Sequence, residues 1–212
     1  MRKVLEVSGL TRIHGPGCPE CRKGRLDPNP MDNRCPFCGS VLAAKDIDLE
    51  LYEGEILGIM GESGSGKSTL VKNLYFDDTP SSGSARYAHN GRTYDLFSLN
   101  AAHQRWFRYH CFGMVYQNPQ SGLNFRISAG GNIAERLLMN DVFHYRDIRE
   151  RVFSLLQRTQ VPADRMDEMP RNFSGGMQQR VQIAKALVSN PPLLFLDEVT
   201  TGLDVSVQAR IL

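Results

Sequence analysis

Apolar and polar positions alternate in two short stretches near the start of the chain. Val4 to Val7 alternates apolar with acidic residues and predicts a short edge strand, and Ile47-Asp-Leu-Glu-Leu51 predicts another. Gly54 then turns the chain into Ile56-Leu-Gly-Ile-Met60, an apolar run suited to a strand buried on both faces. After a Gly/Ser loop, Ser68 to Tyr75 has helical character. Ser81 to Ser84 predicts a turn, and Ala85 to Tyr94 a hairpin about Asn90-Gly91. Phe112 to Tyr116 predicts a further strand. From about Ala129 to Thr159 the residues Ile133, Leu137, Leu138, Ile148, Val152, Leu155 and Leu156 fall at helical spacing. Gly175-Gly176 opens another helix, Met177 to Val188. Pro191-Pro192 ends it, and Leu193-Leu-Phe-Leu196 is a second buried-strand candidate. These elements predict an α/β domain.

One stretch breaks the pattern. Gly15 to Ser40 is rich in Gly, Pro, Cys and Arg and differs from everything around it, which delimits an insertion over residues 15–42. It holds Cys18-Pro-Glu-Cys21 and Cys35-Pro-Phe-Cys38, two thiol pairs on tight turns joined by a short polar spacer. That spacing suits a closed tetrahedral Zn²⁺ site of structural type, with an iron–sulfur cluster as the alternative. Metal should organise the insertion, which lacks apolar residues for a core of its own. The phosphate loop described next, on a separate buried strand, should be largely indifferent to it. Arg22, Lys23, Arg25 and Arg34 give the insertion a basic face, either plainly solvated or a docking surface. Cys111 stands outside the pattern and reads as a small buried hydrophobe.

Composition adds little beyond exclusions. The chain of 212 residues fits one domain, and 25 Lys and Arg against 23 Asp and Glu leave a net charge of +2, unlike a nucleic-acid-coating protein. No apolar run approaches the roughly 18 residues of a membrane span. Met1-Arg-Lys-Val-Leu lacks the apolar core of a signal peptide, so a cytoplasmic protein is expected.

The strongest chemical signal is Gly61-Glu62-Ser63-Gly64-Ser65-Gly66-Lys67-Ser68, which fits G-x-x-x-x-G-K-[ST] between an apolar run and a helix, with Thr69 following. Glycines let backbone N–H groups face an anion, and the helix N-terminus adds positive potential. Lys67 can reach the β- and γ-phosphates of ATP, and the Ser68 hydroxyl can ligate Mg²⁺. Asp197-Glu198 ends the Leu193–Leu196 run, where α/β sheets collect ligands. Asp197 would hold Mg²⁺ through water and Glu198 would polarise the attacking water, although apolar runs ending in acids are common by themselves. Phe173-Ser174-Gly175-Gly176-Met177-Gln178-Gln179-Arg180 reads either as a second anion site of bare backbone or as a helix capped by Ser174.

Taken in order, these motifs resemble the ATP-binding cassette family over nearly the whole chain. Gly61 to Ser68 is similar to its Walker A motif and Leu193 to Asp197 to Walker B. Glu198 is similar to its catalytic glutamate and Gln117 to the Q-loop glutamine that touches Mg²⁺ and the attacking water. Ser174 to Gln178 resembles the signature motif, and Thr201-Gly-Leu-Asp204 the D-loop. The resemblance implies a P-loop NTPase of the ABC type, with an antiparallel β subdomain and a helical subdomain over 118–175. It also implies an ATPase acting as a dimer of two cassettes. The signature turn of one, here Ser174, Gly175, Gly176 and Gln178, closes on ATP held by the other.

The chain departs from the family pattern at three points. Val199 replaces the usual proline. The candidate for the adenine-stacking aromatic is His14, which reads equally as a surface histidine. The chain stops at Leu212, before the family's switch histidine, so the expectation is either C-terminal truncation, which the intact catalytic residues upstream favour, or impaired hydrolysis. Leu-Asp-Val-Ser-Val-Gln-Ala209 is shared in style with peptide and nickel importer ATPases. Ser128 to Leu137 and His144 to Arg149 are closer to the ATP-binding components of carbon–phosphorus lyase systems. The expected partners are accordingly a second cassette with lyase core subunits or, alternatively, membrane permease subunits. A zinc-bearing cassette of DNA repair matches neither the near-neutral charge nor the position of the insertion, and no direct nucleic-acid contact is expected.

Overall fold

The computed structural model describes residues 1–22 and 33–198. The chain divides into two compact units, Met1–Gln104 and Arg105–Leu212.

The first unit is built on an antiparallel sheet of β1 (Lys3–His14), β2 (Val41–Tyr52), β3 (Ser82–His89) and β4 (Arg92–Asp95), in the order β2-β1-β3-β4. The short edge strand expected at Val4–Val7 is therefore a 12-residue strand inside the sheet. Its length was hidden because the alternation slips. Leu5 and Val7 are buried, but the next buried positions are Leu10 and Ile13, with register shifts between Val7 and Leu10 and again before Ile13. Gly9 has φ 61, and its N–H is taken by the Asp48 carboxylate at 2.7 Å. β2 likewise extends well beyond the Ile47–Leu51 core read from sequence. Ser82 to Ser84 belongs to β3 rather than to a turn. Asn90 and Gly91, with φ of 47 and 75, make the two-residue hairpin turn. Leu5 and Val7 face Tyr87 and Ala85 across β1–β3, and all four are buried.

Between β1 and β2 lies a short helix, α1 (Pro19–Arg22), with the four paired cysteines around it. After β2 comes α2 (Lys67–Leu74), which buries Leu70, Val71 and Leu74.

The strand expected at Ile56–Met60 is not present. Residues 55–60 form no strand, Ile56 is 70% exposed and Met60 96%. Apolar composition supplies a preference for burial but not a neighbouring strand to bond N–H and C=O groups, and among the described residues no strand pairs with this run. The phosphate loop is supported on β2 instead. Gly66 caps α2 at φ 94, and a Cβ there would collide with the Ala43 carbonyl. The expected independence of loop and insertion loses its basis, because both rest on the same strand.

The second unit begins in α3 (Ala101–His110), which sequence pattern did not reveal. Phe107 is its one buried residue, so no apolar stripe marks it. β5 (Phe112–Val115) and β6 (Leu193–Leu196) pair in parallel, Phe112 opposite Leu193 and Val115 opposite Leu196. The helices are α4 (Pro119–Gly122), α5 (Ala129–Leu138), α6 (Tyr145–Arg158) and α7 (Gly175–Leu187). The helical span read as 129–159 is thus α5 and α6, separated by residues 139–144. Ile133, Leu137, Val152, Leu156, Phe173, Val181 and Ala184 form the core they share. Among the described residues no helix is long and apolar enough to cross a membrane.

Candidate functional site

In the first unit, Gly61 to Ser65 is an exposed loop with a turn closed by Ser65 N–H on the Glu62 carbonyl. Gly66 leads into α2, whose first residues Lys67, Ser68 and Thr69 are half-buried. No acidic side chain stands in that first turn. The helix thus brings no acidic counter-charge of its own to its positive end. Lys67 Nζ donates to the carbonyls of Gly61 and Glu62 at 2.8 and 2.7 Å, so the loop's own backbone holds the ammonium within the loop. His14 is exposed at the end of β1, opposite Val41.

The four cysteines come together. Their sulfurs all lie within 4.8 Å of one another, and the closest pairs are Cys18–Cys21 at 3.3, Cys21–Cys38 at 3.4 and Cys18–Cys35 at 3.6 Å. A tetrahedral ion with zinc–sulfur bonds of ~2.3 Å would want edges of about 3.8 Å, and no disulfide competes, so the donor set fits. Its surroundings are polar in a directed way. Cys18 N–H donates to Cys21 Sγ at 3.1 Å, and Ser40 Oγ lies 3.2 Å from Cys38 Sγ while accepting from Gly17 N–H at 3.0 Å. Hydrogen bonding from Ser40 holds the Cys38 thiol down at about 6. The Cys18 N–H pulls Cys21 the same way, but burial and the neighbouring thiols outweigh it and raise Cys21 to about 12. Ile13 and Leu42 pack against the cluster. Ser40 was not anticipated from sequence. Cys111 is fully buried, as expected, and burial pushes its thiol up to about 12.

In the second unit, two adjacent parallel strands deliver the remaining residues from their carboxyl ends, where such sheets place ligands. Tyr116 and Gln117 follow β5; Asp197 and Glu198 follow β6. Asp197 is buried, with its N–H on the Val115 carbonyl at 2.9 Å. Gln117 Nε2 donates to Glu198 Oε2 at 2.6 Å, across 81 residues of chain. Glu198 has φ 49, a conformation that costs a non-glycine residue about 1 kcal/mol or more and is concentrated at functional sites.

Ser174 caps α7, its hydroxyl accepting from Met177 N–H at 3.3 Å, and Gly175 and Gly176 start the helix with no acid in the first turn. The geometry matches the reading of a helix capped by Ser174, with the backbone of Gly175 and Gly176 at its head. The Gln178 amide donates to the Pro170 and Phe173 carbonyls at 3.0 Å each and so is engaged within its own loop. Sequence reading passed over Gln182, a fully buried polar residue on α7; its signal was a polar side chain amid Val181, Ile183 and Ala184. Asp204, the Thr201–Asp204 segment, Val199, Lys23, Arg25 and the chain end at Leu212 lie outside the described residues.

The chain is 47% identical over 209 residues to the putative phosphonates-utilization ATP-binding protein PhnK of Escherichia coli K12, covering 99% of this chain and 72% of that one. It is 41% identical over 180 residues to a putative peptide import ATP-binding protein of Brucella abortus, covering 82% of this chain but only 53% of the relative. Its structure is similar to the dimeric ATP-binding cassette MJ0796 in a post-hydrolysis state with ADP and Pi. The TM-score there is 0.77 at 25% identity, over 98% of this chain and 79% of that one. The family model for ABC transporters matches residues 44–201, from just after the cysteine cluster to the segment beyond Glu198. With the phosphate loop, the Gln117–Glu198 pair and the capped Ser-Gly-Gly helix all inside that span, the chain belongs to the ABC transporter family, as one of its ATPase cassettes.

Proposed function

We propose that this chain binds ATP with Mg²⁺ and hydrolyses it as one half of a cassette dimer, as an energising subunit of a phosphonate-utilising carbon–phosphorus lyase system in the cytoplasm. The observation that carries the hydrolytic reading is the 2.6 Å contact between Gln117 and Glu198. It joins a group able to orient water and metal to a carboxylate able to polarise that water. Lys67 and the backbone of Gly61–Gly66 would take the β- and γ-phosphates, Ser68 and Asp197 would hold Mg²⁺, and His14 would cover the adenine. The head of α7 would close on the nucleotide of the second cassette.

The phosphonate assignment rests on the likeness to PhnK and on the Ser128–Leu137 stretch, which ATP chemistry does not need. The second reading, a subunit of a peptide, nickel or phosphonate importer at a membrane permease, is favoured by the peptide-import relatives. Lyase subunits or a permease co-purifying with the full-length protein separate the two. We also assign the cysteine cluster to one structural Zn²⁺, supported by its sulfur spacing.

Glu198→Gln tests the hydrolytic reading. The amide keeps the shape but is a far poorer base. The variant should bind ATP as the parent does, lose turnover, and accumulate as a dimer with ATP and Mg²⁺ on size-exclusion chromatography. Turnover at the parent rate would remove Glu198 from the mechanism.

A further inference from the structure

Gln182 lies in the middle of α7 and is 1% exposed, with Val181 and Ile183 fully buried on either side. An amide placed in a core is destabilising unless its partners are supplied. Here both partners come from one residue. With the amide oriented to satisfy both groups, Gln182 donates to the Tyr116 carbonyl at 2.9 Å and accepts from the Tyr116 N–H at 3.2 Å. Gln179, one turn earlier on the same face, adds a donation to the same carbonyl at 3.3 Å.

The position of Tyr116 makes this informative. β5 pairs with β6 as far as Val115, whose carbonyl accepts from Asp197 N–H. Tyr116 is the first residue past that strand, and Gln117 follows it directly. Gln182 thus presents to Tyr116 the N–H and C=O pair that another strand residue would. The far end of the loop is held by the same helix. Lys185 donates to the Gly122 carbonyl at 3.1 Å, and a Cβ on Gly122 would collide with the Gln182 amide. The loop bearing Gln117 is therefore seated on α7, the helix whose head carries Ser174 and Gly175.

We propose that Gln182 is a positioning residue for ATP hydrolysis. Its amide fixes the Tyr116 backbone so that Gln117 meets Glu198, and it makes the placement of that pair depend on α7. The inference rests on the roles given to Gln117 and Glu198 above.

The test uses the full-length protein and compares Gln182→Met, Gly122→Ala, Gln117→Ala and the double variant Gln117→Ala/Gln182→Met. Gln182→Met keeps the volume and removes the amide, while Gly122→Ala displaces the amide by a different route and carries the test if Gln182→Met fails to fold. In each, ATP affinity should stay close to the parent's and kcat should fall about 10- to 100-fold, the scale of a small misplacement of a reacting group. The double variant should be no slower than Gln117→Ala alone, because the two residues act through one path. Parental kcat in both Gln182→Met and Gly122→Ala, or losses that multiply in the double variant, would overturn the positioning role while leaving Gln117 in place. Parental kcat in Gln117→Ala would instead remove the reading of Gln117, and this inference with it.

Discussion

Lys67 is tied to two carbonyls of its own loop, and phosphate oxygens would take those bonds over as charge-assisted ones. Lys67→Ala should therefore weaken ATP binding about 10- to 100-fold while leaving the melting temperature nearly unchanged, read by calorimetric titration. Asn132 shows the opposite division. It is fully buried, accepts from Asn124 N–H at 2.7 Å and donates to the carbonyls of Asn124 and Ser128 at 2.9 and 3.0 Å. It clasps the loop entering α5. Asn132→Ala should cost about 2 kcal/mol in urea unfolding and leave nucleotide affinity intact. This also explains the Ser128-Ala-Gly-Gly-Asn132 string in local terms. Ser128 caps the helix by accepting from Gly131 N–H, Gly130 lies where a Cβ would press on the Met166 carbonyl, and Asn132 fastens the preceding turn.

At the scale of elements, β2 carries two loads. At its start Leu42 packs with Ile13 against the cysteine cluster, and one residue on, Ala43 lies beneath Gly66 of the phosphate loop. Cys35→Ser/Cys38→Ser should lose the one metal ion per chain measured by elemental analysis and loosen the β1–β2 connection. Because the loop sits on the same strand, its ATP affinity should also fall severalfold. Affinity equal to the parent's would confine the metal's influence to its own hairpin. A parent protein purified without metal under reducing conditions would refute the zinc assignment itself.

For the whole molecule, the phosphate loop and the Ser174–Gly176 turn belong to different compact units, and the proposed dimer uses each from a different copy. A symmetric dimer then holds two composite sites. Lys67→Ala and Ser174→Arg should each be inactive alone, since every site in either homodimer is broken. Mixed in equal amounts they should recover activity, up to about a quarter of the parent's, because half the dimers would be mixed and each would hold one whole site. An inactive mixture, with heterodimers shown by native mass spectrometry, would argue against composite sites.

The sequence by itself determined the motifs and most of the local elements that carry them. A motif such as Gly61–Ser68 is legible because backbone geometry and phosphate contact both demand those residues at that spacing. Cys-x-x-Cys pairs are legible because metal geometry restricts their separation, and the Asn90-Gly91 turn because few residues adopt positive φ without strain. Tertiary structure decided what depends on distant partners. β1 became an interior strand once bulges let its two registers serve both neighbours. Ile56–Met60 carried the composition of a buried strand, yet no strand pairs with it among the described residues. The approach of Gln117 to Glu198 and the grip of Gln182 on Tyr116 span 81 and 66 residues of chain. Local periodicity carries no record of such pairings, because a hydrogen bond between distant residues constrains position in space rather than spacing along the chain.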